Sequence, residues 1–278
     1  VNSYRMALHC KFQLSITDII GVFMQLSLKM RENRADSVKD GLSPRLCRGM
    51  LTPLELAEVS AFNSASNNTL AFVRKETVKA ETLAKYGIRF KDEKTGMEFV
   101  RVQNGLTIYY IGMYEVTEGQ WQRIMENDSS HFSSCGADCP VMNVSWNDAQ
   151  NFIERLNRQS DLQYRLPSEA EWHYACTSGG RNEEYCGDND VDAVAWYDNN
   201  SGNMRHRVGT KQPNGFGIYD MSGNVWEWVQ DASGSSYVTL GGSWSDGAAY
   251  AQASTRSYDD PDRRRNSLGF RLVAPLVQ

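Results

Sequence analysis

Three hydroxyl residues placed to cap helices set the strongest limit on what this chain folds into. Thr117 with Gln120 and Ser168 with Glu171 carry the spacing of a capping box, and Ser145 stands ahead of a third helix. In each the hydroxyl accepts from a backbone N–H near the helix start, and the Gln or Glu side chain answers back to the cap residue. After Ser145, Ala149, Phe152, Ile153 and Leu156 recur at helical spacing and define one apolar face; Trp121, Ile124 and Met125 do the same after Thr117. Upstream, Phe99–Gln103, Asn104-Gly105 and Leu106–Tyr110 predict a hairpin with a type I′ turn, because Asn-Gly tolerates positive φ at both central positions. Short helices among hairpins and long loops exclude a doubly wound sheet and predict an α+β domain.

The chain has 278 residues, 41% hydrophobic and 23% charged, enough apolar material for a substantial core. A net charge of −5 gives no footprint for nucleic acid, and Arg263, Arg264 and Arg265 are offset by Asp259, Asp260 and Asp262. Six cysteines are too few for a disulfide-built scaffold. Cys135 and Cys139 are read as a local bridge or as free thiols ahead of half a zinc site, since no second pair follows at finger spacing. Residues 1–86 are expected to be a partly helical segment with no assignable role, and 87–278 the main domain. In the first, Leu14–Leu28 is interrupted by Asp18 and Gln25, too short to span a bilayer, and reads as an amphipathic helix. A second helix is expected over Leu54–Ala61, after Pro53. No signal-peptide pattern is evident in this segment.

The stretch from Leu240 to Val273 is different in kind. Gly-Gly-Ser-Trp opens it, Gly-Phe-Arg-Leu-Val closes it, and the residues between are small and polar apart from Tyr250 and Tyr258. An apolar frame around a polar, tyrosine-dotted insert suits a recognition surface, where Tyr supplies contact area at low entropy cost and Ser, Gly and Asp supply adaptable hydrogen bonds.

Six blocks in order, MYEVTEGQW (113–121), PVMNVSWNDAQNFIERLN (140–157), YRLPSEAEWHYA (164–175), PNGFGIYDMSGNVWEW (213–228), LGGSW (240–244) and LGFRLV (268–273), resemble the formylglycine-generating-enzyme (sulfatase-modifying factor) family. The resemblance implies a C-type-lectin-like fold with few regular strands. The enzymes of that family need two cysteines shortly after the Gly-Gly-Ser-aromatic strand, because a thiolate is both soft copper ligand and redox nucleophile. Here those positions fall at Asp246 and Ala251, and no cysteine follows Cys186. Iron-dependent relatives use three histidines on a helical domain. This chain has only His9, His131, His173 and His206, with no H-x3-H pair.

A third branch resembles the chain most closely: the variable proteins of diversity-generating retroelements, whose C-terminal region is mutagenised at adenines. Gly242-Ser243-Trp244, Ala248, Gln252, Arg256, Pro261-Asp262, Arg264 and Gly269-Phe270-Arg271 match its framework. Mutagenised Asn codons yield Asn, Ser, Asp, Gly, Tyr, Ala, Thr and Arg among others, but never Lys, Glu, Gln, Met or Trp. The positions expected to vary obey that alphabet: Ser245, Asp246, Gly247, Ala249, Tyr250, Thr255, Ser257, Tyr258, Asp259, Asp260, Arg263, Arg265, Asn266 and Ser267. The resemblance implies a non-enzymatic binding protein with no required cofactor and a protein or cell-surface ligand. It also implies an extracytoplasmic place on a bacterial surface, with a lipid anchor not visible in this chain. An oxidase working without the cysteine pair and a structural adaptor are the alternatives.

Asp220, Gly223, Val225 and Glu227 resemble a calcium site of the family's enzymes, two carboxylates plus two carbonyls suiting a hard cation. The competing reading makes Glu227 an internal acceptor for Trp or backbone donors. Gln212-Pro213-Asn214 and Trp146-Asn147-Asp148 invite a sugar-binding reading. Their order is reversed relative to C-type lectins, and Pro-Asn-Gly is more simply a turn.

Overall fold

The chain separates into two units, 1–72 and 73–278. A computed structural model of the protein describes residues 86–105, 107–126 and 135–275. The helices expected at 14–28 and 54–61, with Cys10, Cys47, His9 and His131, lie outside the described residues.

Two four-stranded sheets organise the rest. The first runs β1 (Arg89–Lys91), β2 (Glu98–Asn104), β3 (Thr107–Gly112) and β8 (Val273–Pro275), every pair antiparallel. The expected hairpin is β2–β3, but its turn sits later than the Asn-Gly register predicts. Asn104 pairs with Thr107 as the last rung of the ladder, and Gly105 carries the positive φ, at 58°. Asn104 is therefore a strand residue, not a turn residue, and the type I′ expectation fails on it.

The second sheet contains β4 (Trp226–Ser233), β5 (Ser236–Leu240), β6 (Arg256–Asp259) and β7 (Leu268–Phe270), in the order β6-β5-β4-β7. β7 lies parallel to β4, the others antiparallel to their neighbours. All three expected helices form: α1 (Glu118–Met125), α2 (Trp146–Asn157) and α3 (Glu169–Cys176). Each starts with a full capping box, Ser145 being answered by Asp148. A single helical turn, α4 (Val191–Val194), follows.

Helices α1 and α2 pack on the second sheet through stacked rings. Trp121 lies 5.2 Å from Phe152 at 5°, and Phe270 meets both edge-on. Such pairs add to what area burial alone provides. Trp226 and Trp228 point from β4 into this core, so strand alternation turns Glu227 the other way, toward Trp172, Met221 and Leu240 in a second core. A strand buried on both faces puts a carboxylate where it must find a cation.

Candidate ligand-binding face

Glu227 finds Arg271. The guanidinium donates to both carboxylate oxygens at 2.7 and 2.6 Å, and Trp172 Nε1 donates to Oε2 at 2.7 Å. Arg271 also donates to the Gly112 and Tyr219 carbonyl oxygens, so this one side chain ties the ends of both sheets together. Glu115, also buried, accepts from Asn224 Nδ2 at 2.7 Å and from the Val225 N–H at 3.0 Å. Asp220, in left-handed conformation at φ 57°, accepts from the Gly209 N–H at 2.6 Å through one oxygen, while the other has no hydrogen-bond partner.

In this arrangement both Glu227 oxygens accept from Arg271 and one also from Trp172, as the internal-acceptor reading expects, while Asp220 keeps one oxygen without a hydrogen-bond partner. Among the described residues no group of three His, Cys, Asp or Glu side chains is placed to hold a metal. The sugar tripeptides also resolve into structure: Trp146–Asp148 starts α2, and the Asn214 side chain closes a turn by accepting from the Phe216 and Ile218 N–H groups.

Three buried carboxylates facing one guanidinium have a pH consequence. Burial pushes the Asp220 carboxyl up to about 6, with Glu227 adding repulsion and Gly209 and Arg271 opposing; burial, Asp220 and Glu227 raise Glu115 well above its ordinary range. A carboxyl raised on folding binds its proton more tightly in the folded state. Its contribution to stability is full below the unfolded value near 4 and is lost as pH rises through about 6. Asp220→Asn keeps an acceptor for Gly209 and tolerates the left-handed backbone. The substitution is expected to stabilise the protein by on the order of 2 kcal/mol at pH 7.5 and to flatten the decline between pH 4 and 6. Denaturant titrations across pH check this; an equal or lower stability at pH 7.5 refutes it.

Against this fixed interior stands the stretch 240–273. It leaves the sheet at β5, makes a 3-10 turn at Ala248–Ala251, returns as β6 and re-enters as β7. Ser245, Ala249, Tyr250, Tyr258, Asp260, Arg263 and Asn266 are exposed, the two tyrosines at 53% and 46%, which is uncommon for rings of that size. Gly247, Thr255, Ser257, Asp259 and Arg265 are half-buried.

The hydrogen bonds separate the two interleaved sets. Expected framework residues reach out of the stretch: Gln252 to Glu184 (2.8 Å), Arg256 to Glu169 (2.9 Å), Arg264 to Asp148 (2.7 and 2.8 Å), while Asp262 accepts from Asn147 (2.7 Å). Two pairs of expected variable residues meet within the stretch: Asp259 pairs with Arg265 at 2.5 Å, and the Thr255 hydroxyl donates to the Ala249 carbonyl oxygen; Ser245 and Tyr258 instead meet the frame residues Ser243 and Arg256, and Tyr250 meets Trp226. Glycines divide the same way. Gly242 has φ 73°, and a Cβ there would come 2.6 Å from the Tyr250 carbonyl oxygen; one at Gly269 would press into the Val141 carbonyl oxygen. Gly247 has φ −67° and open space, its nearest neighbour being Asp198 Oδ2 at 3.8 Å.

Two of the fourteen positions depart from display. Ser267 is 6% exposed and its carbonyl oxygen accepts the Trp226 N–H, so it belongs to the frame. Asp246 Oδ2 accepts from Trp226 Nε1 at 2.8 Å and from the Ser243 hydroxyl, which turns this carboxylate inward. Ala251, the other position that the resemblance sets against a cysteine of the enzymes, is 1% exposed. Sequence reading also missed the segment 184–201 that runs beside the stretch; its Tyr197-Asp198-Asn199-Asn200 run, an aromatic among short polar residues, was the available signal.

Both cysteine pairs among the described residues are bridged, Cys135 to Cys139 and Cys176 to Cys186. No helix among the described residues is long and apolar enough to cross a membrane.

Known proteins agree with this geometry. The sulfatase-modifying factor enzyme 1-like domain matches residues 73–276. The chaperone protein LppX of Paenibacillus barcinonensis is 28% identical, over 81% of this chain and 99% of its own length. The formylglycine-generating enzyme of Bos taurus is 32% identical over 171 residues, 49% of this chain and 44% of that protein, so the match spans less than half of the enzyme. Among solved structures, Treponema denticola variable protein 1 superposes with a TM-score of 0.60 at 28% identity, covering 67% of this chain and 99% of that one.

Proposed function

The chain belongs to the sulfatase-modifying factor enzyme 1-like family, with the C-type-lectin-like fold of its formylglycine-generating members, and from that premise we propose that it is a non-enzymatic ligand-binding protein that displays diversified residues. The observation that carries this reading is the division within 240–273. Framework side chains bond outward to the rest of the domain, while the side chains of the exposed set, Ser245, Ala249, Tyr250, Tyr258, Asp260, Arg263 and Asn266, form no hydrogen bond beyond the stretch, and of their rings only that of Tyr250 meets a residue outside it, Trp226, edge-on. A surface built this way changes its chemistry without changing its fold. Tyr250 and Tyr258 are its anchors in this variant, aromatic side chains being the usual centres of protein interfaces.

The oxidase reading has no residue to carry it. Asp246 and Ala251 hold the places of the thiolate pair, and neither is a soft ligand or a redox nucleophile. A protein ligand suits a shallow face of this composition. Two disulfides support an oxidising, extracytoplasmic location, where such bonds persist.

A display library on the full chain tests the proposal. With the seven exposed positions randomised, most clones are expected to fold and some to bind an arbitrary protein target with submicromolar Kd. Failure to fold as often as when Trp226 or Phe270 is randomised would sink it. At the DNA level, a near-repeat encoding Asn at these positions beside a reverse-transcriptase gene is the matching expectation.

A further inference from the structure

The diversified stretch has a constant neighbour. The Ala253 N–H donates to the Glu184 carbonyl oxygen at 2.9 Å, the Asp198 N–H to that of Asp246 at 3.0 Å, and the Ser201 hydroxyl to that of Trp244 at 2.8 Å. Below these bonds Ala251 packs in a small apolar cluster with Tyr185, Val194, Ala195 and Tyr197, with Ala248 against it. The Cys176–Cys186 bridge fastens this segment to the end of α3. Segment and stretch therefore form one surface, and the segment lies outside the residues that vary.

Asp198 and Asn199 are exposed on this segment. A Cβ at Gly247 would meet only one atom within 4 Å, Asp198 Oδ2, and the ordinary backbone at 247 admits any side chain. Whatever residue variation puts at 247 starts beside that carboxylate, and so does any ligand group that fills the space glycine leaves. No Lys or Arg occurs from Glu183 to Asp198 to neutralise it. Lys211, packed over the Trp196 ring at 4.1 Å, donates to the Asp192 carbonyl oxygen.

We propose that Trp196–Ser201 is a constant wall of the ligand-binding face and that Asp198 is a fixed specificity determinant, favouring protein ligands that present a lysine or arginine beside position 247. This rests on reading 240–273 as a display surface. Diversification then searches one side of the interface while the other supplies an unchanging negative contact. Complementary charge at an interface favours matching partners and penalises like-charged ones.

The test uses two full-chain libraries with identical randomisation of position 247 and the exposed positions, one with Asp198 and one with Asp198→Asn. Each is selected against lysozyme, a basic probe, and ovalbumin, an acidic one. Lysozyme binders from the Asp198 library are expected to weaken by about tenfold or more in Kd when Asp198→Asn is introduced, and ovalbumin binders to hold or tighten. Melting temperature, unchanged in Asp198→Asn, separates contact from folding. Equal effects on both classes, or none on the lysozyme binders, overturn the role of Asp198. If both libraries fold yet yield no binder to either probe, it is the display reading itself that fails.

Discussion

Arg271→Ala is expected to cost about 3–5 kcal/mol of folding stability, a large share of the roughly 5–15 kcal/mol a domain possesses. Arg271 is fully buried, and its loss strips Glu227 of every partner except Trp172 Nε1. The orphaned carboxylate would face Glu115 and Asp220 with no cation, and the Gly112 and Tyr219 carbonyl oxygens would lose their donor as well. Arg271→Lys should fall between, since a point charge cannot reproduce the paired geometry. The double variant Arg271→Met with Glu227→Gln should cost less than Arg271→Ala alone, because it removes the charge together with its partner. Urea titration at pH 7 measures all three. A loss under about 1 kcal/mol for Arg271→Ala would mean that the pair does not hold the sheets together.

The second large effect separates two glycines five residues apart. Gly242→Ala should cost about 2–4 kcal/mol, combining the penalty for a Cβ at positive φ with its collision against the Tyr250 carbonyl oxygen. Gly247→Ala, in ordinary backbone and open space, should change stability by no more than about 0.5 kcal/mol. Comparable losses at both would erase the distinction between frame and display on which the functional reading depends; the midpoint of thermal unfolding distinguishes the outcomes directly.

What was legible in the sequence follows the range of the interactions. Capping is a bond between a side chain and a backbone three residues away, and all three caps appear where Thr117, Ser145 and Ser168 put them. The apolar face of α2 is equally local, and all four of its residues are buried. Glu227 was ambiguous because its partner stands 44 residues later, where no spacing rule looks. The spacing of Asp220, Gly223, Val225 and Glu227 carries no sign of Arg271, whose guanidinium donates to both Glu227 oxygens. Ser267 and Asp246 satisfy the alphabet of a diversified position, yet geometry gives both to the frame. An alphabet constrains what a residue is, not which way it points. The approach of segment 184–201 to the stretch is not legible, because adjacency across a fold leaves no local trace.

Glu227 stands opposite Leu240 on one side and Gly269 on the other, so the excursion between them departs from and returns to the two flanks of a single strand. Its two roots are thereby held roughly 10 Å apart, twice the spacing of neighbouring strands, whatever the intervening residues are. Between those roots Gln252, Arg256 and Arg264 pin the course of the chain, so the exposed positions are exchangeable in composition while the length between the pins is set.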